Sequence, residues 1–478
     1  MDEKEQKLDA DFQKNVDYLN ETLAVNTNYD IVYRIMEMGG KKTAWYFIDG
    51  FCKDELMQKL LQYFITIKPE DMPKDAHSMS KKCVPYVEVD LVDSMDKIIH
   101  SLLSGIFILI IEGYDKALLI DARTYPARGV EEPEKDKVLR GSKDGFVETV
   151  VLNTALIRRR IRSTELRMEM LNAGKSSKTD IAVCYMDDRV DKKFLKQIKE
   201  RINSLAVDAL TLNQESLAEC LYTSKWYNPF PKFRYTERPD TAAAQILEGN
   251  IIILVDNSPS AMVLPNSLFD MLEEADDYYF PPITGSYLRI TRIMIALLTF
   301  FLTPTYLLLM KNTQWIPDSF SFIIVRETMN IPLIFQFLML ELAIDGLRLA
   351  AVNTPNMLST PLSVLAALVL GEFSVKSGWF NSEVMLYMAF VAVANYTQAS
   401  YELGYALKFM RMITLVLTAI FSVYGYIGGI LLCLLAIIKN KTVSGQSYLY
   451  PLIPLNLKQL SKRIFRHRLP GALDSKKQ

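Results

Sequence analysis

Histidine is nearly missing from this chain: three in 478 residues, His77, His100 and His467, none close to another in sequence. The five cysteines, Cys52, Cys83, Cys184, Cys220 and Cys433, are scattered without a CxxC pair. Those scarcities argue against a histidine or cysteine metal centre and against a disulfide framework, so no metal or other cofactor is expected. Also lacking are a GxGxxG turn, a P-loop, a nucleophile elbow and any catalytic-triad order, and the expectation is a protein that is not an enzyme. The opening MDEKEQKLDADFQKN has no apolar core of a cleavable signal, which predicts that the N-terminal half stays in the cytoplasm.

Net charge is all but absent at −1, yet the balance conceals an asymmetry. Residues 1–30 carry eight acidic and three basic side chains, whereas residues 439–478 carry nine basic and one acidic. Most of the charge lies in residues 1–285, while 293–438 hold only thirteen Asp, Glu, Lys or Arg. That division predicts an α/β cytoplasmic N-terminal region of two subdomains followed by an α-helical polytopic membrane domain. The expected boundaries are 1–145 for the first subdomain with its linker, 146–285 for a long helix and the second, 286–438 for the membrane domain and 439–478 for a basic tail.

A bilayer needs about 20 apolar residues as helix. Residues 293–310 and 412–438 are uncharged runs that meet this, 384–401 is a third candidate, and the stretch around Glu341 is a fourth. The run 349–371 is uncharged but carries Asn353, Pro355, Asn356 and Pro361, which predicts a short or re-entrant helix covered by protein or lining water. The basic KQLSKRIFRHR after the last span sets that end in the cytoplasm by the positive-inside rule. Four full crossings plus the broken segment are expected.

Glu341, Asp345 and Arg348 stand in the otherwise apolar run MNIPLIFQFLMLELAIDGLRLAAV, at spacings that put all three on one helix face. Each charge facing lipid would cost about 2.5–3.5 kcal/mol, so they should face protein or water. One reading is an ion or substrate path, the other a salt-bridged lock between helices. Since Glu341 and Asp345 can each pair with Arg348 along the helix, the lock is favoured.

In the soluble half, TAWYFIDG, DELMQKLLQYF, VEVDLV, DSMDKIIHSLL, IFILII and KALLID alternate strand and helix, and DIAVCYM to NIIILVDN repeats the alternation. Between them a Pro- and Gly-containing loop runs to Gly145, after which FVETVVLNTALIRRRIRSTELRMEML predicts a long helix. Consecutive Arg158, Arg159 and Arg160 advance by about 100° each, so at least one must turn inward, with Glu131, Glu132, Glu148, Glu237 and Asp240 as available partners. No aromatic platform is interleaved with the basic residues, and nucleic-acid binding is not expected.

The run from YPARGVEEPEKDKVLRGSKDG to LIRRRIR, then YTERPDTAAAQILEGNIIILVDNSPSAMVLP, then Asp277-Tyr278-Tyr279, resembles the GerA-type A-subunit family of bacterial spore germinant receptors over nearly the whole chain. SSKTDIAVCYMDD, WYNPFPKFRYTERPD and ASYELG favour a branch that works as an amplifying channel without its own nutrient sensor. The resemblance implies a subunit of an oligomeric ion channel of the spore inner membrane that releases ions, cations in sign, during germination. Its soluble domain and tail would face the spore core. The partners implied are further copies in a ring, a pentamer, an accessory membrane subunit and other germination receptor proteins, all within the lipid bilayer. A nutrient-gated A subunit and a membrane transporter are the alternatives.

Arg128, Glu132, Pro133, Arg140, Gly141, Gly145, Phe146, Glu148, Asn153, Arg158, Arg159, Arg160, Glu237, Arg238, Pro239 and Asp240 match the family's cytoplasmic motif. That motif reads as architecture and coupling. Ser363, Val364, Ala367, Leu368, Gly371 and Glu372 are the implied pore lining.

Overall fold

The computed structural model describes residues 6–124 apart from 53, 85 and 87, then 140–222, 227–325, 331–353 and 373–467. By its internal contacts the chain divides into two compact units. The first comprises Met1–Thr223 with Phe233–Pro265, the second Ser224–Lys232 with Asn266–Gln478.

The first unit is one fold built twice. Its first half runs α1 (Phe12–Thr22), β1 (Ile31–Met38), β2 (Lys41–Ile48), α2 (Asp54–Ile65), α3 (Ala76–Lys82), β3 (Val89–Val92), α4 (Met95–Leu103), β4 (Phe107–Ile111) and β5 (Ala117–Ile120). Its second half runs α5 (Val150–Arg160), β6 (Leu166–Ala173), β7 (Thr179–Met186), α6 (Lys192–Asn203), α7 (Gln214–Leu221), β8 (Arg234–Thr236), α8 (Pro239–Leu247), β9 (Ile251–Val255) and β10 (Ala261–Leu264). The sheet orders correspond strand for strand, β1-β2-β4-β5-β3 and β6-β7-β9-β10-β8, and every paired strand is antiparallel.

Register is the same as well. Thr43 faces Ile111 where Ile181 faces Val255, and Leu91 faces Leu118 where Tyr235 faces Met262. So are the details outside the ladders. Leu8 N–H donates to Asp93 O at 2.7 Å and Phe146 N–H to Glu237 O at 2.8 Å. Asn15 accepts from Asp9 N–H at 2.8 Å and donates to Asp9 O at 2.7 Å, and Asn153 does the same with Val147 at 2.8 and 2.5 Å. After the last helix of each half the chain turns at a left-handed glycine, Gly105 at φ +95° and Gly249 at φ +96°, a conformation other residues rarely adopt.

Helices cover both faces of the first sheet, which explains why β4, FILII, is buried at every position rather than at alternate ones. Ala44, Tyr46, Ile108 and Ile110 pack under α1 and α4, while Trp45, Phe107, Leu109 and Ile111 pack under α2 and α3. The same division puts Ala182, Cys184, Ile252 and Leu254 under α5 and α8.

One expectation fails here. The long helix from Phe146 through Leu171 is instead α5 followed by β6, because LRMEMLNA alternates and pairs with β7 along its whole length. The halves join across α5: Tyr29 N–H donates to Met168 O at 3.1 Å, Met168 N–H to Asn28 Oδ1 at 2.8 Å, and Gly50 lies against Ala155. Residues 153–158 of α5 are therefore all buried, whereas the equivalent helix α1 exposes Gln13, Lys14, Asp17 and Glu21.

The second unit is helical: α9 (Asp276–Tyr279), α10 (Pro282–Lys311), α11 (Leu333–Asn353), α12 (Ser382–Tyr396), α13 (Tyr401–Ile438) and α14 (Leu457–Ile464). Among the described residues α10 and α13 are long and apolar enough to cross a membrane. However, α13 is not one rod. Ser422 breaks the helix at φ 51°, ψ −123°, and the chain doubles back. A Cβ on Gly429 would come within 2.6 Å of Thr414 Oγ1, and one on Gly425 within 1.9 Å of Leu417 O. In a continuous helix Thr414 and Gly429 would be about 22 Å apart. The uncharged run 412–438, expected as a single tilted span, is therefore the second arm of a hairpin plus the end of the first. Its glycines, with no Cβ, let the arms touch.

Many apolar side chains of these helices point outward. Leu297 and Leu298 of α10, Leu342 and Val352 of α11, Phe390 and Val393 of α12, and Ile420, Ile427 and Leu431 of α13 are all exposed. The polar groups lie inside.

A candidate functional site of buried charge

Glu341 sits in the third turn of α11, 3% exposed, and its partners come from α13 rather than from its own helix. Arg411 donates Nε and Nη2 to Glu341 Oε1 at 3.0 and 2.5 Å, and Nη1 to the Thr299 carbonyl of α10 at 2.7 Å. Lys408, one turn earlier, lies 3.3 Å from Glu341 Oε2 and 2.5 Å from Asp345 Oδ2. Both cations are buried, Lys408 at 3% and Arg411 at 0% exposed. Two carboxylates thus meet two cations and the cluster is neutral, the condition under which buried charge is tolerated.

Arg348 stands apart from this cluster. Its guanidinium lies over the rings of Tyr396 and Tyr405, 4.7 and 5.2 Å from their centroids. The intrahelical pairing of Glu341 and Asp345 with Arg348 is thus replaced by interhelical pairing. The reason is geometric: α13 brings Lys408 and Arg411 three residues apart onto the carboxylate face of α11, and they fill it. The charge count changes too. With Lys408 and Arg411 included, the five charges Glu341, Asp345, Arg348, Lys408 and Arg411 sum to one positive, not to a negative excess.

A second charged layer closes the end of the unit where α10 begins. Asp277, fully buried, accepts from Arg289 Nε at 3.3 Å and Arg292 Nη1 at 3.0 Å, and Arg292 Nη2 reaches Glu274 at 2.8 Å. Arg463 of α14 pairs with Asp270 at 2.7 Å and Glu273 at 3.0 Å. Arg466 donates Nη2 to Tyr278 O at 2.8 Å. The basic tail therefore spends these arginines on the protein itself.

In the first unit the expected inward turn belongs to Arg158, which is fully buried. Its partner is none of the five acids expected: Nε and Nη2 meet Asp30 Oδ2 and Oδ1 at 2.7 and 3.0 Å, across the join between the halves. Arg160 points outward to Asp144 at 2.9 Å and Ser142 Oγ at 3.1 Å. Arg238 forks onto Asp240 at 3.1 and 2.7 Å and donates to Ser142 O at 2.9 Å. Phe146 is buried under Glu237, whose carbonyl takes its N–H, and Asn257 N–H donates to Glu148 O at 2.7 Å. Together these bonds pin residues 142–148 to the second sheet. Burial pushes the Tyr29 phenol and the Cys184 thiol beside the join well above their ordinary ranges. Arg140, Gly141, Gly145, Arg159 and Pro239 lie in the same segments.

The pattern of the Bacillus/Clostridium GerA spore germination protein family matches residues 17–477. The chain belongs to the GerA family. It is 36% identical to Stage V sporulation protein AF of Bacillus subtilis over 98% of this chain and 96% of that protein. It is 28% identical to the uncharacterized membrane protein YfkQ of the same organism, over 95% of this chain and 88% of that protein. It is also similar to the crystal structure of the N-terminal domain of the A subunit of the Bacillus megaterium spore germinant receptor GerK3. There the identity is 25% and the TM-score 0.42, over 54% of this chain and 96% of that one.

Of the GerA motif residues, Arg128, Glu132 and Pro133 lie outside the described residues, as do Ser363, Val364, Ala367, Leu368, Gly371 and Glu372. Lys408 and Arg411 went unrecognised in the sequence. A span begun at Met412 leaves them as flanking charges, although they stand only four and one residues before it inside a helix that starts at Tyr401. The usable signal was arithmetic: two buried carboxylates need two cations from another helix.

Proposed function

We propose that this GerA-family protein is a non-enzymatic subunit of a ring-shaped ion channel of the spore inner membrane that releases ions during germination and amplifies the response. The observation that carries the reading is the neutral Glu341–Asp345–Lys408–Arg411 cluster, buried among helices whose outer faces are exposed Leu, Ile, Val and Phe. An apolar exterior around a charged interior suits a protein dissolved in lipid. In this reading the helices of the second unit cross the bilayer, both arms of α13 among them, an even number of times, so that the soluble unit and tail both face the spore core, and an accessory membrane subunit and neighbouring germination receptors are partners. Arms of about 31 and 24 Å, from 21 and 16 residues, are compatible with a hydrocarbon core of about 30 Å.

The cluster acts as a lock that holds α11 against α13, and the pore belongs to the segment from Ser363 to Glu372. Cation release no longer follows from the charge around the triad, whose sum is positive; it rests on Glu372. The deciding experiment is single-channel recording of purified protein in planar bilayers, with and without its accessory subunit. Unitary currents with a cation reversal potential are expected. Silent bilayers from correctly assembled protein would overturn the channel, and an anion reversal potential the sign.

A further inference from the structure

Of Glu341, Asp345, Arg348, Lys408 and Arg411, four cancel in pairs and Arg348 does not. Arg348 meets two ring faces and, among the described residues, no carboxylate within ion-pairing distance. We propose that Arg348, framed by Tyr396 and Tyr405, binds a phosphate group, supplied by the headgroup of an anionic phospholipid. This rests on the membrane reading above but not on conduction.

The chemistry fits a phosphate. The Tyr396 and Tyr405 hydroxyls are within hydrogen-bonding reach of the guanidinium, and the rest of its five N–H donors remain to meet phosphate oxygens. Cation–π contact stabilises the charge without neutralising it, so an anion is still called for. Depth fits a headgroup. Tyr396 is the last residue of α12 and Tyr405 lies in the second turn of α13, so the site is at the ends of these helices, not midway along them. Tyrosine at that level is the usual interfacial residue of membrane helices, and arginine there reaches toward lipid phosphate.

The same end of the unit carries the basic layer. Leu403 near the start of α13 belongs to one core cluster with Met271 and Tyr448, next to Arg292, which donates to the carbonyl of Leu272. By charge this is the cytoplasmic side, the leaflet whose anionic lipids attract such groups. Around the site Leu349, Val352 and Phe409 are exposed, an apolar surface on which acyl chains can lie. A second copy of the chain could instead supply a carboxylate, and the experiment separates the two.

Full-length protein would be assembled in nanodiscs of phosphatidylcholine, with or without phosphatidylglycerol, and compared with Arg348→Gln, Arg348→Lys and Tyr405→Leu. The readouts are retained lipid by native mass spectrometry and melting temperature. Phosphatidylglycerol should raise the melting temperature of the wild type and stay bound. Arg348→Gln should lower its retention about tenfold, the worth of a charged hydrogen-bonded contact. Arg348→Lys and Tyr405→Leu should fall between. Inorganic phosphate in pure phosphatidylcholine is the other arm: an Arg348-dependent shift there assigns the site to free phosphate. No Arg348-dependent response to either probe overturns the proposal. So does loss of oligomer mass by Arg348→Gln in phosphatidylcholine alone, which would assign Arg348 to a neighbouring copy.

Discussion

Arg411 and Glu341, seventy residues apart in the chain, share one carboxylate oxygen between two guanidinium nitrogens in a layer that water does not reach. The pair fixes the axial register of α11 on α13, because a slip of one turn would set Arg411 against Phe337 in one direction and leave Glu341 without its guanidinium in the other.

Removing one partner should therefore be costly. Arg411→Leu leaves Glu341 with Lys408 alone, and Lys408 is already shared with Asp345. The expected loss is about 3–5 kcal/mol, read as a collapse of yield and melting temperature in detergent. Glu341→Leu combined with Arg411→Leu should recover much of that loss. Equal damage by the double and single variants would mean that the pair is not coupled.

The hairpin makes a prediction with an internal control. Gly425→Ala and Gly429→Ala should disrupt the second unit, since their added methyls meet Leu417 O and Thr414. Gly428→Ala, with nothing within 4 Å of its Cβ, should be neutral or slightly stabilising. A membrane-impermeant maleimide should label a cysteine at Ser422 from the side opposite one placed at Lys439. Labelling of Lys439 and Tyr401 from opposite sides would restore the single rod.

What the sequence made legible follows from what each signal measures. Strands such as FILII and IIILV, and helices such as DELMQKLLQYF, announce themselves by local hydrophobicity and were placed. Glu341 and Asp345 were visible because apolar neighbours isolate them. The duplication was not, because it lives in register and hydrogen bonding. Thr43 corresponds to Ile181 and Tyr46 to Cys184, pairs with little chemistry in common. Few positions keep their identity: Ala44 with Ala182, Ile108 with Ile252 and Ala117 with Ala261 in the strands, and Asn15 with Asn153 and Gly105 with Gly249 where a backbone clasp or a left-handed turn leaves few alternatives. The break at Ser422 was equally hidden, since neither side of it is polar or rich in proline.

The repeated asparagine clasp can be tested as a pair. Asn15→Ala and Asn153→Ala each remove a buried amide that makes two hydrogen bonds to the preceding loop, and each should cost about 1–3 kcal/mol in denaturant unfolding of the purified chain. Asn153 should stand at the upper end, because α5 is buried on both sides and α1 is not. A silent Asn153→Ala would show that the clasp only shapes the loop.

Lys232 gives a pH signature. It is half-buried beside Asn440 and the carbonyl of Lys441, and burial pushes its ammonium down to about 8 from the usual 10.5. The unfolded chain then binds the extra proton between those values, so stability rises with pH from about 8 upward, and the penalty is fully present below 8. Lys232→Met should narrow the wild type's gain in melting temperature between pH 7.5 and about 9.5. Identical pH profiles for the two proteins would sink this account.

The doubling back at Ser422 returns the chain to the place where its helical part begins, and the tail then fastens there: Arg463 meets Glu273 across 190 residues and Arg466 N–H meets Ser286 Oγ across 180. The unit is thus a closed circuit whose clasp is made from its last residues. Synthesis runs from the N-terminus, so α10 to α13 are made before the residues that fasten them. Removal of the residues from Leu457 onward should therefore leave α10 to α13 present and the circuit open.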